Sequence, residues 1–346
     1  MKVLVLNNAA PFIRGGAEEL ADHLVQRLNL TAGIEAELLR IPFRWEPADQ
    51  VLEEILINRN LHLYEVDRVI ALKFPAYLIA HENKTLWLLH QYRQAYDLYE
   101  SGLSHLCGHP AGKEIARIVR EADNRCFADC KTIYCNSPVT QARLKQFNGY
   151  DATVLYPPLN DPEQFPGGDY GNYVFAGGRV GAGKRQHLLV EAMQYVRSTV
   201  KLVIAGPPDD DPYRVRLEQF VAQYNLSDRV ELRFGYRPRH EIAQLVNGAL
   251  ACAYLPIDED SLGYVSMEAF CAAKPVLTLQ DAGGLLEIVH NDQTGLIVAP
   301  RARAIARAID RLAQNLERTK AMGQAGKDLL QSKNLTWETT VERLLS

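Results

Sequence analysis

The sequence predicts an α/β protein of two Rossmann-like domains whose parallel sheets face a central cleft. Three observations carry this. Apolar strands alternate with helix-period segments through the first half of the chain. A stretch rich in proline and glycine then interrupts the pattern. After it the alternation restarts and runs almost to the end. Strands alternating with helices imply a parallel sheet covered on both faces. In such sheets ligands sit beyond the carboxyl ends of the strands, so two domains bring their sites to one shared cleft.

In the first half, strands are predicted over 2–7, 36–41, 68–72, 86–89 and 132–136. Helices fit 17–28, 49–58, 112–126 and 138–147. The interruption spans 155–170, with four prolines and two glycines in sixteen residues, a composition that suits a domain linker. Beyond it come strand 173–176, helix 187–196, strand 201–205, helix 212–223 and strand 230–234. Helix 239–248, strand 250–255, helix 264–272, strand 276–279 and helix 285–290 follow. Helices 303–315, 319–330 and 336–345 close the chain. The predicted domains are 1–158, joined by a closing crossover helix at 335–346, and 159–334.

Bulk properties exclude several classes. The chain has 346 residues, a length that suits about two domains. Its hydrophobic content of 47% supplies sizeable cores and argues against disorder. A net charge of −4 argues against a nucleic-acid binder, which would be basic. The six cysteines lack zinc-module spacing, so free thiols in a reducing cytoplasm are expected. The loop with His105, Cys107 and His109 has no second ligand pair, and reads as a solvated loop in preference to a metal site. The apolar run near Met1 suits a buried strand and is too short for a signal peptide. No stretch approaches the ~18 apolar residues of a membrane span. The expectation is a cytoplasmic protein, with peripheral contact at the inner membrane face left open.

The most informative stretch is 260–284, DSLGYVSMEAFCAAKPVLTLQDAGG. Asp260 and Glu268 stand eight residues apart, with Gly263 at the predicted helix start. A helix N-terminus is an anion site, because its first N–H groups lack internal partners and the dipole is positive there. A phosphate on the amides of Leu262, Gly263, Tyr264 and Val265 would have Asp260 on one flank. Glu268 would lie roughly 7 Å along the axis, at about 1.5 Å per residue. Carboxylates repel phosphate, so both would accept hydrogen bonds from sugar hydroxyls instead. A nucleotide sugar has that layout. The alternative is a surface acidic loop before an amphipathic helix.

A glycine turn follows the first strand of each predicted domain. NAAPFIRGGAEE carries Gly15 and Gly16, which let backbone approach a ligand. It is not the dinucleotide fingerprint. VFAGGRVGAGKRQH nearly matches a P-loop through Gly178, Gly183 and Lys184. Arg185 stands where a P-loop needs Ser or Thr for magnesium, so an ATPase is rejected. Arg179 and Lys184 read better as two cations on a diphosphate, a planar fork and a point charge. His90 ends an apolar strand, at the edge that borders the cleft.

Taken in order along nearly the whole chain, these motifs resemble the retaining glycosyltransferases of family 4 (group 1), which have the GT-B fold. The matching stretches are GGAEE, His90, Asn136 with Ser137, GGRVGAGKRQHLLVEAM, LVIAGPP, DEDSLGYVSMEAFCAAKPVLT, AGGLLEIV and TGLIV. The tail LTWETTVERLL resembles the family's closing Trp-containing helix, which returns to the first domain. The resemblance implies roles. Gly15 and Gly16 would approach the donor diphosphate, and Arg179 and Lys184 would neutralise it. Asp260 would hold hydroxyls of the transferred sugar, and the amides from Leu262 to Val265 would bind phosphate and sugar. Glu268 would bind the ribose, and Gly235, Tyr236 and Arg237 would frame the base. His90 would contact the sugar near the anomeric carbon. Where the family usually has Glu this chain has Asp260, with Glu259 as a competitor, and Leu262 replaces the usual Phe.

The implied reaction is retaining transfer from a nucleotide-diphosphate sugar to a glycan, lipid-linked or small-molecule hydroxyl. No metal and no cofactor are required by it. Rival readings are an epimerase or phosphorylase of the same fold, or a silent nucleotide-sugar-binding protein. Acceptor or membrane contact points to Phe43, Arg44 and Trp45, or to Lys113, Arg117, Arg120 and Arg125, against a solvated helix face with interspersed acids.

Overall fold

A computed structural model describes residues 1–10 and 15–346. The chain divides into two compact units, Met1–Pro158 with Thr336–Ser346, and Leu159–Leu335. Each holds a six-stranded sheet among the described residues, and every strand pairing is parallel.

The first unit runs β1 (Lys2–Ala9), α1 (Gly16–Asn29), β2 (Glu35–Pro42), α2 (Gln50–Asn60), β3 (Arg68–Lys73), β4 (Lys84–His90), α3 (Asp97–Glu100), α4 (Gly112–Ala128), β5 (Thr132–Cys135), α5 (Pro138–Asn148) and β6 (Thr153–Val154). The sheet order is β2-β1-β3-β4-β5-β6. Its central strands read as continuous apolar runs because both faces are covered. Val69, Ile70, Ala71 and Leu72 are all fully buried. Asn136 and Ser137 serve as a helix start. The Ser137 hydroxyl accepts from the Thr140 amide at 3.1 Å, and Asn136 Oδ1 accepts from the Thr140 hydroxyl at 2.7 Å. That caps α5 in the ordinary way.

The second unit runs β7 (Tyr173–Gly177), α6 (Gln186–Met193), β8 (Lys201–Gly206), α7 (Asp211–Gln223), β9 (Val230–Phe234), α8 (Arg239–Asn247), β10 (Ala251–Ala253), α9 (Tyr264–Cys271), β11 (Val276–Leu279), β12 (Gly295–Val298), α10 (Ala302–Gln314) and α11 (Leu316–Ser332). The order β12-β11-β10-β7-β8-β9 places β7 beside β10, so the chain reverses its direction of travel there. That switch point is where open α/β sheets bind ligands.

The closing helix α12 (Trp337–Leu345) belongs to the first unit. Trp337, Val341 and Leu344 join the core of Val3, Leu20 and Leu24. Arg68 Nη1 donates to Leu344 O at 3.1 Å, and the Tyr134 hydroxyl to Arg343 O at 3.1 Å.

Two predicted elements change. The helix expected at 285–290 is a single 3-10 turn, Gly284–Glu287. Thr294 ends it, with its hydroxyl accepting from the His290 amide and donating to Ile288 O. The strand expected at 250–255 is cut to Ala251–Ala253. Beyond it, Leu255 O and Pro256 O are taken by the Arg185 guanidinium. The division between the units falls within the stretch 155–170, where Phe165 is fully buried. Strands β6 and β12, of two and four residues, were not anticipated. Among the described residues no helix is long and apolar enough to cross a membrane.

Candidate functional site

Two loops leave the switch point of the second sheet, one after β7 and one after β10. The first is built on glycine. Gly178 has φ +92°, and a Cβ at Gly206 would come within 1.9 Å of its carbonyl oxygen. The loop is laced to the exit of β8. Val180 N donates to Pro207 O at 2.9 Å, and Asp209 N to Val180 O at 2.8 Å. Gln186 braces it from within, donating to Arg179 O at 2.9 Å and accepting from Gly181 N at 3.2 Å. Arg179 is half-exposed on this loop, 3.3 Å from Asp209.

Lys184 closes the same loop and reaches across to β10's exit. Its ammonium donates to the Tyr254 hydroxyl at 2.7 Å and to Glu259 at 2.5 Å. Tyr254 in turn donates to Glu259 at 2.5 Å. Burial, then the adjacent Glu259 carboxylate, hold the Tyr254 phenol well above its ordinary pKa, so it stays a donor. The competing acid of the DED run is therefore engaged by Lys184. Asp260 follows it, half-buried.

Arg185 sits where the P-loop comparison drew attention, and the structure gives it an internal role. It is 7% exposed. It donates to Leu255 O at 2.9 Å and Pro256 O at 2.6 Å, and forks onto Asp281 at 2.8 and 2.7 Å. Those hydrogen bonds hold the Asp281 carboxyl below the usual carboxylate range. Further main-chain bonds join the exits of β7, β10 and β11. They run from Ile257 N to Gly183 O, Glu259 N to Ala282 O and Gly284 N to Glu259 O. Gly283, at φ +72°, passes so close that a Cβ would lie 2.5 Å from Glu259 N.

The predicted anion site starts at Gly263, which caps α9 with φ +72°. A Cβ there would meet the Tyr254 ring at 2.6 Å. Leu262 and Val265 are buried and Tyr264 is half-buried. A Cβ on Gly178 would lie 3.3 Å from Val265 Cγ2. The glycine loop and the start of α9 thus touch. Ser266 stiffens the turn by donating to Gly263 O at 2.7 Å and to Leu262 O.

Glu268 lies one turn into α9 and is buried, 7% exposed at its side chain. It is paired with Arg239, a residue sequence reasoning passed over. Gly235, Tyr236 and Arg237 leave β9, with Gly235 N on Gly206 O at 3.1 Å. Tyr236 is 75% exposed. Arg237 donates to Phe234 O at 3.3 Å and lies 3.7 Å from Glu241.

In the first unit the switch point lies between β1 and β3. Of the segment NAAPFIRGGAEE, residues Pro11, Phe12, Ile13 and Arg14 lie outside the described residues. Gly15 has extended backbone, and its amide donates to Glu18 Oε2 at 2.9 Å. The other Glu18 oxygen meets Lys73 at 3.4 Å, where both side chains are largely buried. Lys73 pairs in register with His90 at the adjoining strand ends. His90 Nδ1 lies 2.7 Å from Gln91 O. A carbonyl only accepts, so Nδ1 carries the proton in this contact. Glu18 and Lys73 were not singled out from sequence.

The other candidates are dispersed. His105 contacts Tyr92 at 3.5 Å, Cys107 contacts Tyr99 O at 3.5 Å, and His109 lies 3.7 Å from Asp49. No group of three or more His, Cys, Asp or Glu among the described residues is placed to hold a metal. Arg117 is paired with Glu114 and Glu121, and Arg120 with Glu100 at 3.3 Å. Phe43 packs edge-on against Phe74 at 5.6 Å and Tyr92 at 5.7 Å. All six cysteines are free thiols.

Residues 161–329, nearly all of the second unit, match the family model described as glycosyl transferases group 1. An alpha-maltose-1-phosphate synthase of Mycolicibacterium smegmatis is 29% identical over 217 residues, 57% of this chain and 54% of that protein. A GDP-mannose-dependent alpha-(1-6)-phosphatidylinositol monomannoside mannosyltransferase of Mycobacterium tuberculosis is 29% identical over 170 residues, 46% of this chain and 43% of that protein. The chain thus spans about half the length of these first curated relatives. The protein of the latter name from Mycolicibacterium smegmatis is 23% identical across 99% of this chain and 97% of its own length.

Among solved structures, sucrose-phosphate synthase from Thermosynechococcus elongatus superposes with a TM-score of 0.77 at 19% identity, covering 99% of this chain and 97% of that one. Anabaena Alr3699/HepE, solved with UDP and glucose, gives 0.75 at 18% identity, covering 100% and 98%. These likenesses establish the fold, which is that of the GT-B glycosyltransferases.

Proposed function

We propose that this chain is a metal-independent, retaining glycosyltransferase of family 4. It would move a sugar, most simply a hexose, from a nucleotide-diphosphate sugar to a hydroxyl of a glycan, lipid-linked or small-molecule acceptor. The observation that carries the reading is the junction at the second switch point. There the Arg179–Lys184 loop touches the Gly263 start of α9. Two cations beside a helix N-terminus suit a diphosphate. The family match over the same unit and the UDP-bound structural relative support a nucleotide-sugar donor.

Asp260 is assigned to the hydroxyls of the transferred sugar, and Glu259 to holding Lys184. Glu268 is assigned to the ribose, and Gly235, Tyr236 and Arg237 to the base. On the first unit, His90 and the turn at Gly15 and Gly16 are assigned to the sugar and the diphosphate. In the reaction the bond from the anomeric carbon to the diphosphate oxygen breaks. A new bond would form to the acceptor oxygen on the same face, and the proton of the acceptor hydroxyl would pass to the leaving diphosphate. Lys184, Arg179 and the first amides of α9 would stabilise the charge growing on the leaving diphosphate.

The test is binding of UDP-, GDP-, ADP- and dTDP-sugars, each beside its free nucleotide. One nucleotide class should bind at micromolar level, with slow acceptor-free hydrolysis of one sugar. Folded protein that binds none of them would remove the donor-site assignment. Epimerised donor without acceptor, or a strict need for phosphate, would replace the transferase by the corresponding rival enzyme.

A further inference from the structure

Arg239 opens α8, directly after Pro238. A cation in a helix's first turn opposes the dipole, so this position is not explained by helix formation. Its side chain is engaged elsewhere. Nη1 donates to Glu268 Oε1, and Nη2 donates to Asn160 O at 3.0 Å. The guanidinium lies 4.7 Å over the ring of Phe165. Phe165 is fully buried and Asn160 is 2% exposed. The guanidinium is thus fixed by a rigid ring below and a main-chain carbonyl beside it. A planar group held this way fixes in turn the orientation of the carboxylate it meets.

We propose that Arg239 is a positioning residue for nucleotide recognition. It holds Glu268 in the orientation that accepts hydrogen bonds from a ribose, and so determines discrimination for ribose over deoxyribose. This rests on the assignment of Glu268 to the ribose. Arg239 does not itself touch the nucleotide; it acts through the carboxylate. Lysine in its place would keep the charge but lose the fork that spans Glu268 and Asn160 O.

The experiment measures Kd for UDP, GDP and ADP, then repeats the tightest with its 2′-deoxy and 3′-deoxy analogues. The proteins are wild type, Glu268→Gln, Arg239→Gln and Arg239→Lys, with folding checked by circular dichroism. Wild type should prefer the ribonucleotide over at least one deoxy analogue by about ten-fold, the scale of a hydrogen bond to a charged group. Glu268→Gln should remove that preference. Arg239→Gln should remove most of it while changing affinity for the deoxy analogue less than about two-fold, and Arg239→Lys should fall between. If Glu268→Gln loses the preference and both folded Arg239 variants keep it, the positioning role is overturned. Equal weakening of ribo and deoxy ligands by both Arg239 variants, a merely structural effect, also overturns it. Failure of Arg239→Gln to fold leaves Arg239→Lys to decide by the same criterion. If Glu268→Gln itself keeps the preference, or wild type binds none of the three nucleotides, the underlying assignment fails instead.

Discussion

The two units place their loops at comparable switch points but hold them differently. In the second unit the exits of β7, β8, β10 and β11 are cross-braced by main-chain bonds, by Arg185 and by glycines that admit no side chain. In the first unit, among the described residues, the corresponding segment is tied at its start by Asn8 Nδ2 to Phe74 O and by Phe43 N to Ala9 O, and at its end by the Glu18 carboxylate between Gly15 N and Lys73. Gly15 is extended, so its conformation does not demand glycine. Under the proposed function, a braced loop would present fixed donors to a diphosphate, whose shape does not vary.

The sharpest way to break this comparison is an alanine in each unit. Gly263→Ala must hold φ +72° with a side chain and displace the Tyr254 ring from 2.6 Å. That ring is anchored by Lys184 and Glu259. We expect a loss of ~3 kcal/mol in stability, from backbone strain plus overpacking, and no measurable nucleotide binding. Gly15→Ala should stay within about 0.5 kcal/mol of wild type. Chemical denaturation of both variants checks this. Equal effects would end the distinction between the two units.

Next in size is Lys184→Ala. Removing a cation from a leaving diphosphate should lower turnover by about 10²–10³-fold, the range found for a lost oxyanion donor. The fold should survive, because Lys184 is a quarter exposed and Tyr254 still donates to Glu259. Steady-state kinetics beside a thermal melt separates the two. Near-normal turnover would remove Lys184 from the diphosphate.

Much of this braced site was legible in the sequence, and the reason is backbone geometry. Gly178, Gly263 and Gly283 occupy positive φ, and glycines between an apolar strand and a helix announce such turns. The switch-point strands were legible because buried parallel strands are continuous apolar runs. Side-chain partnering was not. Lys184 meets Glu259 across 75 residues, and Arg239 meets Glu268 across 29. Neither spacing follows from a local period; both follow from which strands lie side by side. Hence Tyr254, Arg239 and Glu18 were passed over, and Arg185 was noticed only as the wrong residue for magnesium. Strands β6 and β12 are too short for a periodic signal.

The smallest effect is expected at Glu18. Its carboxylate joins Gly15 N at 2.9 Å to Lys73 at 3.4 Å, and Lys73 adjoins His90 in register. Glu18→Gln keeps size and one acceptor oxygen but loses the charge that attracts Lys73. The hydrogen bond to Gly15 weakens from a charged to a neutral one, a change of about 1 kcal/mol. Turnover should therefore fall about five-fold. The Kd for free nucleotide should change less than about two-fold, because under the proposed function most of the diphosphate donors come from the loops of the second unit. A split of this kind, seen by calorimetry beside kinetics, would sharpen the comparison: the first unit contributes to the reacting geometry without setting nucleotide affinity. If Glu18→Gln weakened nucleotide binding as much as turnover, the turn at Gly15 and Gly16 would carry as large a share of diphosphate recognition as the loops of the second unit. Diphosphate recognition would then depend on the Glu18 strut as well as on the loops of the second unit.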